Sequence, residues 1–136
     1  MKASEAMVTD PHVAVAGAMA SEVAIMLKSR NISVVPVVDD HRTRRFLGTL
    51  SDRDLVTRCL AEGKHPWHTR ADQLMRTGSP IIRGDEDLTG FRVRMDLDPN
   101  DSHLRPTITV LDNQGQVIGF ISHPEQVEGV EIVWGG

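Results

Sequence analysis

Cysteine and aromatics are scarce in this sequence of 136 residues: one Cys, no Tyr, three Phe and two Trp. The lone Cys59 excludes an intramolecular disulfide and a cysteine-based zinc cluster, and it fits a reducing compartment. With so few rings, the core has to be aliphatic, made of Val, Ile, Leu, Met and Ala. An excess of positive charge is missing as well. The formal net charge is −4, so the chain lacks the broad positive field that nonspecific nucleic-acid binding uses. No apolar run approaches the roughly 18 residues that span a bilayer. Met1-Lys2-Ala3-Ser4-Glu5 has no basic region followed by an apolar stretch, so no signal peptide is expected. Catalytic signatures are absent too: no Gly-x-Ser-x-Gly elbow, no His-Glu-x-x-His and no Walker loop. The expectation is a cytoplasmic protein that is not an enzyme, with no nucleic-acid or membrane partner.

What is present is an ordinary globular balance, 40% hydrophobic and 25% charged. It suits one compact domain, or two half-size units sharing a core. The chain reads in two similar halves. The first runs from Met7-Val8-Thr9-Asp10-Pro11 through a helical stretch to Val34-Val35-Pro36-Val37-Val38-Asp39, and ends Gly48-Thr49-Leu50-Ser51-Asp52-Arg53-Asp54. The second runs from Met75-Arg76-Thr77-Gly78-Ser79-Pro80 to Ile108-Thr109-Val110-Leu111-Asp112, and ends Gly119-Phe120-Ile121-Ser122-His123-Pro124-Glu125. Gly48 and Gly119 stand at the same offset as Ser51 and Ser122. Two degenerate copies of one supersecondary unit account for this. The boundaries are a first repeat over 5–64, a linker and start of the second lead-in over 65–74, and a second repeat with a C-terminal extension over 75–136.

Each repeat is expected to run helix, strand, strand, helix, a mixed α/β (α+β) fold. Met19, Val23, Met26 and Leu27 form the stripe of an amphipathic helix over 18–29. Residues 33–38 are apolar and β-branched, a buried strand. Arg42, Arg44 and Arg45 form a basic turn that suits a solvated hairpin tip more than a phosphate contact, and residues 46–50 return as a strand. A helix then opens at Ser51 and runs to about Ala61, with Cys59 as buried filler on its apolar side. The second repeat is less regular. Leu88, Phe91 and Met95 keep a helical stripe that Gly90 weakens, while Phe91, Val93, Met95 and Leu97 alternate equally well as a strand. The closing helix after Ser122 has little room before Gly129, and residues 130–134 read as a short extra strand.

The chemistry concentrates where a strand meets a helix at Ser51-Asp52-Arg53-Asp54. Amides at a helix start attract phosphate, Ser51 adds a hydroxyl, and Asp54 offers a carboxylate to both hydroxyls of a ribose. Ser-x-x-Asp is equally close to a capping box, as Ser-x-x-Glu is at Ser122 and Glu125. Arg53 suits a phosphate contact or a surface ion pair. His65 and His68 flank Trp67 but lack the further ligands of a metal site.

The Gly48 to Asp54 segment, the strand over 32–39 before it, and the paired lead-ins at Met7 and Met75 resemble cystathionine β-synthase (CBS) domains. The likeness spans about residues 5–129 and is strongest in the first half. The resemblance implies two pseudo-twofold-related repeats in one compact module, often called a Bateman module. It also implies reversible binding of AMP, ADP, ATP or S-adenosylmethionine as regulatory ligand, a homodimer formed by packing helices together, and a regulated partner protein. Carried over residue by residue, one site joins Ser51, Arg53 and Asp54 with Ser79, Pro80, Ile81, Arg105 and Pro106. A second joins Ser122 and Glu125 with Pro11, His12, Val13, Ile32 and Ser33. The sequence departs from the family at Glu125, where Asp is usual, at Pro124 before it, at Thr109, where Pro is usual, and in a longer 98–106 stretch. A module of this kind that has lost its ligand would serve as a structural dimerisation or docking unit.

Overall fold

The computed structural model describes residues 1–9, 12–95 and 107–134. The chain folds into two compact units. One is continuous, His12–Gly78; the other is composite, Met1–Pro11 with Ser79–Gly136. These units cut across the sequence repeats. The lead-in of the first repeat belongs to the composite unit, and the lead-in of the second repeat belongs to the continuous one.

The continuous unit is built on strands β2 (Ala14–Val15), β3 (Val34–Val38) and β4 (Phe46–Ser51). β2 lies parallel to β3 and β4 antiparallel to it. Helix α2 (Ala20–Arg30) covers the sheet with Val23 and Leu27 buried, and both join Val35, Val37, Leu50, Leu55 and Leu74 in an aliphatic core. α2 stops where Asn31 takes a left-handed conformation (φ 54°), and Ile32 N–H reaches back to the Leu27 carbonyl, a Schellman ending. After β4, helix α3 (Asp52–Asp54) runs on into wider π-helical turns over Leu55–Leu60. Ala61 N–H donates to the Val56 carbonyl and Lys64 N–H to that of Cys59, both five residues back. The short helix α4 (Ala71–Leu74) then leads into Arg76, which pairs with Thr49 at the edge of β4.

In the composite unit, α1 (Ala3–Ala6) leads into β1 (Val8–Thr9), and the sheet order is β1-β8-β7-β5, with β5 at Ile81–Arg83, β7 at Ile108–Leu111 and β8 at Val117–Ile121. Its core is Ala3, Ile82, Leu88, Val93, Ile108, Val110 and Ile121. The hydrogen bonds repeat those of the continuous unit. Ala20 N–H donates to the Thr69 carbonyl as Leu88 N–H does to that of Met1. Asp72 N–H donates to Ala16 as Ser4 N–H does to Gly84. Arg70 N–H is held by Gln73 Oε1 at 2.8 Å, and Lys2 N–H by Glu5 Oε1 at 2.9 Å.

The two glycines at equal offset have one purpose. A Cβ on Gly48 would overlap the Arg76 carbonyl oxygen, and one on Gly119 would lie 2.7 Å from the Val8 carbonyl oxygen. Both positions let the lead-in segment cross a strand at close range.

The mixed α and β composition is as expected, and residues 34–38 and 46–51 are strands. The helix-strand-strand-helix order holds only in the first repeat. Where α2 stands in the first repeat, the second has a turn at Thr89-Gly90 and then strand β6 (Arg92–Met95), parallel to β9 (Glu131–Trp134). Of the two readings of this stretch, the strand is the one formed. Gly90 (φ 78°) and Gly129 (φ 91°) take a conformation closed to most residues, and Gly90 N–H donates to the Gly129 carbonyl, which ties the start of one strand to that of the other. The closing helix after Ser122 is reduced to one 3-10 turn, Pro124–Gln126. Among the described residues no helix is long and apolar enough to cross a membrane.

Candidate functional site

The strand-to-helix junction of the continuous unit forms the geometry its sequence suggests. Ser51 is extended (φ −111°, ψ 165°), and its Oγ accepts from Asp54 N–H at 3.1 Å. In return, Asp54 Oδ2 accepts from Ser51 N–H at 3.0 Å. This reciprocal pair is a capping box. Asp52 N–H donates to the Ser33 carbonyl at 2.9 Å, so the strand before the signature fixes the first turn of the helix after it.

Asp54 is only 2% exposed and has a second partner. Arg76 Nε donates to its Oδ1 at 2.7 Å, from a side chain 47% exposed. A buried carboxylate needs such partners, since burial without them favours the neutral acid. A second arginine fastens the same segment: Arg58 Nη1 donates to the Leu74 carbonyl at 2.6 Å and to that of Met75 at 3.2 Å. Sequence reasoning missed the Arg76 side chain. Its signal was indirect, the placing of Met75-Arg76 opposite Gly48-Thr49 by the repeat.

The other expected site residues divide between the units. His12, Val13, Ile32 and Ser33 share the continuous unit with Ser51, Arg53 and Asp54; Ser79, Pro80 and Ile81 share the composite unit with Ser122 and Glu125. Pro11, Arg105 and Pro106 lie outside the described residues. Within the continuous unit, Val13 is buried, Arg53 is exposed, and His12, Ile32 and Ser33 are half-buried. In the composite unit, Ile81 starts β5 and is exposed, and the Pro80 carbonyl accepts from Thr109 N–H at 3.1 Å. Thr109 is itself buried within β7.

Ser122 and Glu125 do not form the capping box their spacing suggests. The short turn starts at His123 with no side-chain cap. Pro124, buried at its head, has no N–H to offer and a fixed φ. The exposed Glu125 carboxylate instead stands 3.4 Å from His123 Nδ1.

The remaining candidates are local. The His65 and His68 rings lie 4.7 Å apart, tilted at 40°, and His65 Nδ1 accepts from Trp67 N–H. No group of three metal-ligating side chains occurs among the described residues. Cys59 is buried, with its thiol 3.6 Å from the Lys64 carbonyl oxygen. The hairpin tip is ordered by two carboxylates. Asp39 accepts from the Thr43 hydroxyl and from Arg45 N–H, and Asp40 from the N–H groups of Thr43 and Arg42. The Thr43 contacts above all hold both acids below the usual aspartate range.

Residues 3–61 match the family model of the CBS domain. The chain has no match among curated protein sequences. Among solved structures it is similar to a CBS domain-containing protein of unknown function from Bacillus anthracis. That match has a TM-score of 0.71 at 15% identity and covers 90% of this chain and 86% of that one. The CBS domain protein TA0289 from Thermoplasma acidophilum matches with a TM-score of 0.66 at 18% identity, covering 90% and 65%. CBSX2, solved in complex with AMP, matches with a TM-score of 0.64 at 19% identity, covering 89% of each chain. At these identities the likeness carries the fold, while the family model carries the first repeat. Residues 3–61 are thus similar to a CBS domain, and the chain has a fold similar to that of solved CBS-domain proteins.

Proposed function

We propose that the chain is a non-enzymatic sensor that binds an adenine-containing ligand (AMP, ADP, ATP or S-adenosylmethionine), and that a partner protein reads the resulting change. The observation that carries this is the Ser51–Asp54 junction, where a serine hydroxyl and a carboxylate are held one helical turn apart behind a CBS signature strand. The AMP complex of CBSX2, a protein of the same fold, supports the ligand class. Ser51, Arg53 and Asp54 are the residues of the continuous unit that would hold this ligand. Ser122 and Glu125 of the composite unit would hold a ligand more weakly, because no capping box positions Glu125. We place the protein in the cytoplasm as a homodimer. Ile25, Val56 and Leu60, all exposed on the helices of the continuous unit, supply apolar surface for pairing.

Melting temperature with and without AMP, ATP and S-adenosylmethionine tests the reading. A ligand that binds only the native state stabilises it by about 2.7 kcal/mol at a hundredfold excess over Kd, a clear rise. An unchanged melt with all three at millimolar concentration supports a second reading, a dimerisation or docking module that has lost its ligand. The buried, fully partnered carboxylate of Asp54 and the β6–β9 ribbon in the second repeat favour that reading.

A further inference from the structure

A ribose arriving at Asp54 finds the carboxylate already engaged. Oδ2 is held by Ser51 N–H inside the capping box, and Oδ1 by Arg76 Nε. The two partners differ in how readily they leave. The Ser51 amide belongs to a backbone turn that also closes on Ser51 Oγ. Arg76 is a flexible side chain with about half of its surface in solvent. A diol that comes to both oxygens of Asp54 therefore competes with the guanidinium first.

That exchange leaves a cation beside the ligand. A neutral nucleoside does nothing for it, and the ion pair is lost without return. S-adenosylmethionine brings a sulfonium, a like charge. A 5′-phosphate stands one sugar ring away from the 2′,3′-diol, a span an arginine side chain covers. Guanidinium and phosphate make charge-assisted, often bidentate hydrogen bonds. We infer that Arg76 is a specificity residue of the proposed site: it latches Asp54 in the free protein and makes the site select phosphate-bearing adenine ligands over adenosine and S-adenosylmethionine. This rests on the adenine-ligand reading and narrows it to nucleotides.

Calorimetric titration of the purified full chain with AMP, adenosine and S-adenosylmethionine tests it, on the wild type, Arg76→Met and Arg76→Gln. The wild type is expected to bind AMP at least about tenfold more tightly than either other compound, a difference of about 1.4 kcal/mol. In Arg76→Met, adenosine gains affinity and AMP loses it, so the ratio falls toward one. Arg76→Gln keeps a donor for Asp54 without a charge; it should show the same collapse, and it serves if the Met variant melts below the assay temperature. An AMP preference of equal size in the wild type and the charge-free variants overturns the inference, as does S-adenosylmethionine binding the wild type as tightly as AMP. In either case the adenine-ligand reading stands. If none of the three compounds binds the wild type or either variant, that reading falls and the latch with it.

Discussion

The two units share a scaffold up to Met19 in one and Asp87 in the other, and then part. Each of these residues bridges the residue just before a lead-in helix, Arg70 and Lys2 respectively. In the continuous unit, Ala20-Ser21-Glu22-Val23 continues as eleven helical residues. In the composite unit, Leu88-Thr89-Gly90-Phe91 turns and becomes a strand. Both branches bury an apolar residue at the first step, Ala20 and Leu88. The divergence is therefore a backbone decision. Glycine at the third position weakens a helix by about 1 kcal/mol relative to alanine, and it opens the positive φ that the turn uses. The sheet and its lead-in keep matching backbone hydrogen bonds in both units, while the element that follows differs.

Substitutions made in pairs can break or sharpen this comparison. The largest effect is expected at the sheet centre. Val37→Ala and its counterpart Val110→Ala, both fully buried, should each cost about 2–3 kcal/mol in denaturant unfolding. A near-neutral result at either would show that its sheet does not carry the core.

The glycine pair comes next. Gly48→Ala overlaps the Arg76 carbonyl oxygen closely, whereas Gly119→Ala lies 2.7 Å from the Val8 carbonyl oxygen and also meets the Met7 sulfur, the end of a flexible side chain. We expect about 2–3 kcal/mol for Gly48→Ala and about 1–2 for Gly119→Ala. Equal costs would mean that the two backbone crossings are equally tight.

The capping positions separate the repeats more sharply. Asp54→Ala removes the cap and the partner of a half-exposed arginine, and should lower stability by about 1–2 kcal/mol. Glu125→Ala caps nothing and should stay within about 0.5 kcal/mol. A matching loss at Glu125 would show that the second closing motif is a working cap after all.

The smallest effect belongs to the hairpin tip, which has its own titration. Asp39 and Asp40 are held below their ordinary value of 3.8. Their contribution to folding is therefore complete above that value and fades as pH falls through the lower native values. Amide signals of Thr43 and Arg45 followed by NMR should shift in that acid window; a midpoint at or above 3.8 would contradict the geometry.

Much of this was legible in the sequence. The β-branched run over 34–38 and the Val23 and Leu27 stripe fixed a strand and a helix through short-range patterning. Ser51 and Asp54 could be placed at a strand-to-helix junction because a capping box is local, closed within four residues. The β6–β9 ribbon was harder to see, since Val93 alternates with its neighbours as well in a strand as it spaces in a helix. What decides it is a pairing between Gly90 and Gly129, far apart along the chain. Arg76 escaped notice for the same reason: its carboxylate partner is 22 residues away, and no local pattern announces it.

The composite unit also has a consequence for synthesis on the ribosome. The continuous unit is complete once Gly78 has emerged. Val8 and Thr9, made before that unit, pair with Phe120 and Gly119 of β8, made after it. At about 5–20 residues per second, the lead-in waits for several seconds while the neighbouring unit is already free to fold. β1 is thus made before the continuous unit and paired only after it, and a ribosome that stalls between the two leaves one finished unit carrying an unpaired strand.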